Sequence, residues 1–188
     1  ATGQTLKESV GVEECDEKAL AASGYAEKRA RGPVVSGRTA RGVGASVFLH
    51  GAGFTGSGEK YLKGKVALDL LPGGRARVRT ASTEMGQGVE TVFRQIAADG
   101  LGVGVERVDF AVPSTQVVPD SGPTVASRTV MIVGSILEKA ARELAGRVAA
   151  LATEKGVAPA AAWELLAADP EKATALVQYE PPPDVVWD

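Results

Sequence analysis

The sequence predicts an α+β fold, with strands and helices in mixed order around one hydrophobic core or in two small lobes of one unit. Three observations predict it. Apolar residues alternate on both sides of Leu71-Pro72-Gly73-Gly74, the pattern of a β-hairpin with one polar face. Helical spacing follows Gly88 and returns over a longer stretch from Val133 to Leu151. The elements lack the regular strand-helix alternation of a doubly wound sheet, which points to an α+β layer arrangement.

The elements follow in chain order. Thr5 to Ser23 is polar with Leu6, Val10, Val12 and Leu20 inserted, predicting one or two short helices stopped by Gly24. Gly32 to Arg41 contains Pro33, Gly37 and small polar residues and reads as a linker. Val43 to Leu49 is apolar and β-branched, so a strand is expected there, running into a flexible loop with Gly51, Gly53, Gly56 and Gly58. Val66, Leu68 and Leu70 alternate before the hairpin turn, and Ala76, Val78 and Thr80 after it.

Val89, Val92, Phe93, Ile96 and Ala97 form one helical stripe that should end at Gly100 or Gly102. Val108, Phe110 and Val112 predict a third strand closed by Pro113, with a loop through Pro119, Gly122 and Pro123 behind it. The longest helix carries Val133, Ile136, Leu137, Ala140, Leu144, Val148 and Leu151 on one face and stops at Gly156. Pro159 to Ala168 predicts a shorter alanine-rich helix, and Leu176 to Glu180 a last strand. We expect a helical N-terminal arm over residues 1–32 and an α+β domain over 33–188. Both ends read as internal, so the chain is expected to be a fragment truncated at its C-terminus.

Composition narrows the function classes. Over 188 residues, 44% are hydrophobic and 23% charged, a balance suited to a folded domain. Basic and acidic residues number 21 and 23 and are spread along the chain, without the one-sided basic surface that nucleic acid requires. No apolar run approaches the ~20 residues of a membrane span, and the N-terminus has no secretory pattern, so a cytoplasmic location is expected. Cys15 stands alone among acidic residues and reads as an inert helix residue; His50 is the sole histidine and reads as a loop residue. A zinc site of His and Cys, or iron–sulfur ligation, would need more of these ligands.

Two loops carry the chemistry. Thr83-Glu84-Met85-Gly86-Gln87-Gly88 lies between a strand and a helix start, where unpaired N–H groups and a partial positive charge meet glycines that admit a ligand to the backbone. The Gln87 amide both donates and accepts, which suits the polar edge of a ligand. Asp120 to Thr129 repeats the logic before the long helix, with small side chains, the Ser127 and Thr129 hydroxyls, and an Arg128 able to fork onto a phosphate. Glycines before helices also serve simply as turns and caps, so each loop alone is only a possible anion site. Glu84 and Glu90 are the nearest carboxylates; Glu90 falls in a first helical turn, where an acidic residue is favoured electrostatically, and neither is nominated as a catalytic base.

Glu84-Met85-Gly86-Gln87-Gly88-Val89-Glu90-Thr91 with Gln95-Ile96-Ala97-Ala98, and then Gly122-Pro123-Thr124-Val125-Ala126-Ser127-Arg128, resemble the two cofactor-holding segments of the molybdenum hydroxylases, the xanthine dehydrogenase and aldehyde oxidase family. The resemblance runs from about Leu6 to Glu180. It implies a molybdopterin or molybdopterin dinucleotide cofactor carrying molybdenum. Gln87 would lie near the molybdenum oxo ligand, Gly86 and Gly88 beside the pterin, and Val125, Ala126, Ser127 and Arg128 at the pterin or its phosphate tail, with no direct protein ligand to the metal. The implied activity is hydroxylation of an N-heterocycle or aldehyde carbon with oxygen from water. The implied partners are the remaining segments of the molybdenum subunit, iron–sulfur and FAD subunits or domains, and a small-molecule substrate. The family's late glutamate, the general base, has no counterpart here, so no catalytic residue is assigned and the isolated chain is expected to be inactive.

Two other readings compete. Gly51-Ala52-Gly53-Phe54-Thr55-Gly56 has the spacing of a nicotinamide or flavin nucleotide fingerprint, but Ser57 to Gly64 is too short for the crossover helix that such a site needs. A non-catalytic assembly or scaffold fragment of the same complex is the other.

Overall fold

The computed structural model describes residues 10–48, 51, 53, 54 and 58–182. The chain forms two compact units that divide between His50 and Gly51. Expectations for Thr5 to Ser9, Leu49, His50, Ala52, Thr55 to Ser57 and the last residues from Pro183 lie outside the described residues.

The first unit holds helix α1 (Val12–Ser23), α2 (Tyr25–Arg31) and a two-stranded ribbon, β1 (Val34–Ser36) with β2 (Thr39–Arg41). Gly24 ends α1 in the left-handed conformation, as its sequence position suggested, and its N–H returns to the carbonyls of Ala21 and Leu20. The linker expected over Gly32 to Arg41 is instead this ribbon, paired Val34 to Arg41 and Ser36 to Thr39. Its strands are exposed throughout, so no apolar alternation announces them. The strand expected from Val43 is absent over residues 43–48, where Phe48 is 79% exposed. β-branched residues favour a strand only where a neighbouring strand supplies hydrogen bonds, and none pairs with these residues.

The second unit carries the core. Helix α3 (Gly58–Leu62) leads into a sheet of order β5-β4-β3-β6, built from β3 (Lys65–Leu71), β4 (Arg75–Arg79), β5 (Val108–Phe110) and β6 (Thr174–Gln178). β3 runs antiparallel to both β4 and β6, whereas β4 and β5 are parallel and joined through α4 (Val89–Leu101). The turn between β3 and β4 places Gly73 and Gly74 at φ 77° and 66°, a region that favours glycine. Val66, Leu68 and Leu70 face the core from β3. Its opposite face mixes apolar and polar residues and is also covered: Ala67 is buried, and Asp69, 8% exposed, accepts two 2.8 Å bonds from the Arg79 fork and one of 2.9 Å from the Thr174 hydroxyl.

The helices α4, α5 (Ser135–Lys155) and α6 (Pro159–Ala167) share this core, and α7 (Pro170–Ala173) leads into β6. Phe93, Ile136, Leu137, Ala140 and Leu144 are fully buried, the stripes read from the sequence. α4 and α5 cross closely: a Cβ on Gly100 would sit 2.6 Å from the Ala141 Cβ. The long helix begins with a wide π turn, Thr129–Gly134, so regular α geometry starts later than the apolar stripe does. Val112 lies past the end of β5 and is 83% exposed. Among the described residues no helix is long and apolar enough to cross a membrane.

Candidate cofactor site

The first motif loop connects β4 to α4 as expected, but its own carboxylate caps the helix. Glu84 accepts from the backbone N–H groups of Gly86 at 2.7 Å, Gly88 at 3.0 Å and Glu90 at 3.2 Å. The Gly88 N–H first, and then that of Glu90, hold the Glu84 carboxyl below its ordinary range. The amides read as open to a ligand anion are therefore engaged with Glu84, a capping role the sequence left unassigned. Gln87 folds back on the same loop: its Nε2 donates to the Thr83 carbonyl at 2.7 Å, and its Oε1 accepts from Met85 N–H at 2.6 Å. One Nε2 hydrogen remains beyond these two bonds. Gly86 and Gly88 take φ 98° and 83°, and open space surrounds the position a Cβ would occupy on each. The loop thus offers bare backbone to anything that lies against it.

The second motif loop makes a tight turn. Arg128 N–H returns to the Val125 carbonyl at 3.1 Å, and the two residues between, Ala126 and Ser127, have φ 53° and 55°. Positive φ at both central positions is the geometry of a type I′ turn, which Gly, Asn and Asp usually fill; for other residues it costs about 1–2 kcal/mol each. Arg128 itself points inward and is 1% exposed. Its Nε and Nη2 pair with the two oxygens of Glu59 at 2.7 and 3.0 Å, and its Nη1 donates to the carbonyls of Ser121 and Pro123. The sequence reading turned this guanidinium toward a phosphate; every nitrogen of its fork is engaged inside the protein.

These two loops meet. Thr83 N–H donates to Thr124 Oγ1 at 2.8 Å, and beneath it the buried Thr80 and Ser121 hydroxyls share a 2.8 Å bond. Ser121 Oγ also accepts from Ala81 N–H and donates to the Lys65 carbonyl. Met85 and Gln87 from one loop, with Thr124, Val125, Ala126, Ser127, Thr129 and Val130 from the other, line a cleft of about 400 Å³. A second cleft, about 510 Å³, lies beside Trp163, Val148 and Leu101, and none of the motif residues lines it.

Of the expected site residues, Gln87, Val125, Ala126 and Ser127 come together on the cleft, Gly86 and Gly88 flank Gln87 in its loop, and Arg128 stands behind it. Thr80, Ser121, Thr124 and Glu59 were not foreseen. Thr80 entered only as the end of the alternation after the hairpin turn, the loop hydroxyls of Ser121 and Thr124 carry no periodicity, and Glu59 lies far from Arg128 in sequence. Nothing in its short, charged surroundings announces that this carboxylate, on a five-residue helix, is buried and only 5% exposed. Among the described residues, no cluster of three His, Cys, Asp or Glu side chains is arranged to hold a metal ion directly.

Two loop-to-helix junctions thus wall one cleft, whose apolar side chains, amide and hydroxyl groups are the mixture found in small-molecule and cofactor pockets. The sequence matches the model of the molybdopterin cofactor-binding domain over residues 18–178, and the chain belongs to that family. Over 113 residues it is 31% identical to 6-hydroxypseudooxynicotine dehydrogenase complex subunit gamma of Paenarthrobacter nicotinovorans, covering 60% of this chain and 14% of that protein. It is 30% identical over 143 residues to a putative xanthine dehydrogenase molybdenum-binding subunit of Escherichia coli, covering 76% of this chain and 19% of that one. The fold is similar to that of quinoline 2-oxidoreductase from Pseudomonas putida, with a TM-score of 0.61 and 24% identity over 90% of this chain and 25% of the other. The chain thus spans less than a fifth of the length of these two curated relatives. The family comprises molybdenum oxidoreductases of the xanthine dehydrogenase and aldehyde oxidase type, and its cofactor is molybdopterin with molybdenum.

Proposed function

We propose that this chain supplies one wall of the cofactor site in the molybdenum-binding subunit of an oxidoreductase that hydroxylates an N-heterocycle or aldehyde carbon with oxygen from water. The observation that carries the reading is the single cleft lined by both motif loops. Its lining fits a pterin: Val125, Ala126 and Val130 present apolar surface, while Gln87, Thr124 and Thr129 present hydrogen-bonding groups. The bound group would supply the redox and oxygen-transfer chemistry. Gln87 would hold a polar ligand atom through its remaining amide hydrogen, and Ala126 and Ser127 would set the position of the ring.

The chain by itself is proposed not to turn over substrate, in a cytoplasmic complex whose iron–sulfur and flavin groups lie on other segments or subunits. Glu84 is committed to three backbone N–H groups, and Glu90 sits in the first turn of α4, so neither is placed to take a proton from substrate or water.

Molybdenum and pterin analysis of the protein from a host that makes the cofactor tests the reading. In the assembled enzyme, Gln87→Ala should lower activity roughly 10–100-fold with the cofactor retained. Ser127→Ala should lower cofactor content by about tenfold, the loss of one good hydrogen bond. Unchanged activity and unchanged content in both variants would overturn the site.

A further inference from the structure

We infer that Glu59 is a positioning residue for the second cofactor loop, acting through Arg128 to hold the Ala126–Ser127 turn in its left-handed conformation. The inference rests on the cofactor reading above for what the turn holds, but the latch itself is a property of this chain. Glu59 is 5% exposed and Arg128 1%, and they meet fork to fork at 2.7 and 3.0 Å. The third guanidinium nitrogen reaches the carbonyls of Ser121 at 2.8 Å and Pro123 at 3.0 Å, so one planar group joins α3 to the segment that leads into the turn. Gly53 N–H donates to the Ala126 carbonyl at 2.8 Å, a second tie from the same side of the chain.

The surroundings are shaped to this pair. A Cβ on Gly64 would lie 2.8 Å from the Ser121 carbonyl oxygen and 3.0 Å from Arg128 Nη2, and one on Gly122 would lie 3.1 Å from Arg128 Nη1. Among the described residues no buried side-chain nitrogen or oxygen lacks a partner, so the fork is fully used. A buried ion pair is poor evidence for stability, because apolar residues of similar size often do as well or better. What the fork adds is direction. It fixes the loop carbonyls relative to α3 and forces the two strained residues between Val125 and Arg128 to project toward the cleft.

The test compares the full chain with Glu59→Gln, Arg128→Met and the double variant Glu59→Leu/Arg128→Met, by hydrogen exchange over residues 121–130, thermal midpoint, and molybdenum and pterin content. Glu59→Gln keeps the shape and loses the charge, and exchange over 121–130 should quicken roughly tenfold, about 1.4 kcal/mol in opening. Cofactor content should fall equally in Glu59→Gln and Arg128→Met, with no further fall in the double variant. The apolar pair should recover the thermal midpoint, while exchange stays fast and content low. Recovery of all three together would reduce the pair to a fold contact and overturn the inference. Loss of cofactor in Arg128→Met but not in Glu59→Gln would also overturn it, in favour of a direct phosphate contact by Arg128. If Glu59→Gln does not fold, Glu59→Asp carries the same comparison. A wild-type chain that takes up no cofactor even within the complete molybdenum subunit would sink the cofactor reading alone, and the exchange data would still decide the latch: unchanged exchange in the Glu59 variant refutes it.

Discussion

Ser121 shows how much of this site depends on single side chains that no pattern announces. It is fully buried, and its hydroxyl binds Thr80, Ala81 and Lys65 within 2.7 to 2.9 Å. Removing it leaves a donor and acceptors without partners, so Ser121→Ala should cost about 1–3 kcal/mol in denaturant unfolding. A cost near zero would mean that the loop roots are held by other contacts. Gln87 and the small-residue loop holding Ala126 and Ser127 could be singled out in the sequence, because glycines and small residues before a helix have a physical meaning, but the left-handed turn could not, since Ala and Ser are not the residues that usually fill it. The inward aim of Arg128 was not readable. An arginine in a small-residue loop has the same local chemistry whether it faces a phosphate or a buried carboxylate, and only the fold brings Glu59 to it.

Among the elements, the core helices and the hairpin were legible because their periodicities are enforced by burial on one face. The β1–β2 ribbon and residues 43–48 were misread for the complementary reason: nothing there is buried, so composition carries no information about pairing. The α4–α5 crossing gives a test that opposes propensity to packing. Alanine favours a helix over glycine by up to about 1 kcal/mol, yet Gly100→Ala brings its Cβ to within 2.6 Å of Ala141. It should destabilise by about 1–3 kcal/mol in thermal or denaturant unfolding, and Ala141→Gly in the same chain should recover most of the loss.

The β4–α4 loop adds a pH dependence. The carboxyl of Glu84 is held below the ordinary glutamate range in the folded chain because the backbone N–H of Gly88, and then that of Glu90, stabilise its charged form. Its contribution is therefore fully present above the unfolded value and is lost as pH falls through the folded one. Carbon-13 titration should place Glu84 below an ordinary glutamate. Amide protection factors over residues 86–90, corrected for the pH dependence of intrinsic exchange, should fall on acidification in the wild type but not in Glu84→Gln. A normal Glu84 titration would remove the cap from the description.

At the scale of the molecule, the sheet and the helices on its core face form a platform, and both functional loops leave it next to one another. β4 leads into the first, the chain after β5 leads into the second, and β4 and β5 are neighbours in parallel. The fold class followed from the order of elements, and the pairing of the two motifs from their resemblance to the molybdenum hydroxylases. Their meeting at one cleft rests on Thr83 with Thr124 and Thr80 with Ser121, contacts across sequence distances that patterning does not encode. The central claim is that these loops act as one cofactor wall. Hydrogen exchange of the chain with and without bound molybdopterin tests it most directly. Residues 83–90 and 122–130 should gain protection together, with no change at Leu101, Val148 and Trp163 in the other cleft. Protection of one loop alone, or protection centred on Trp163, would contradict it.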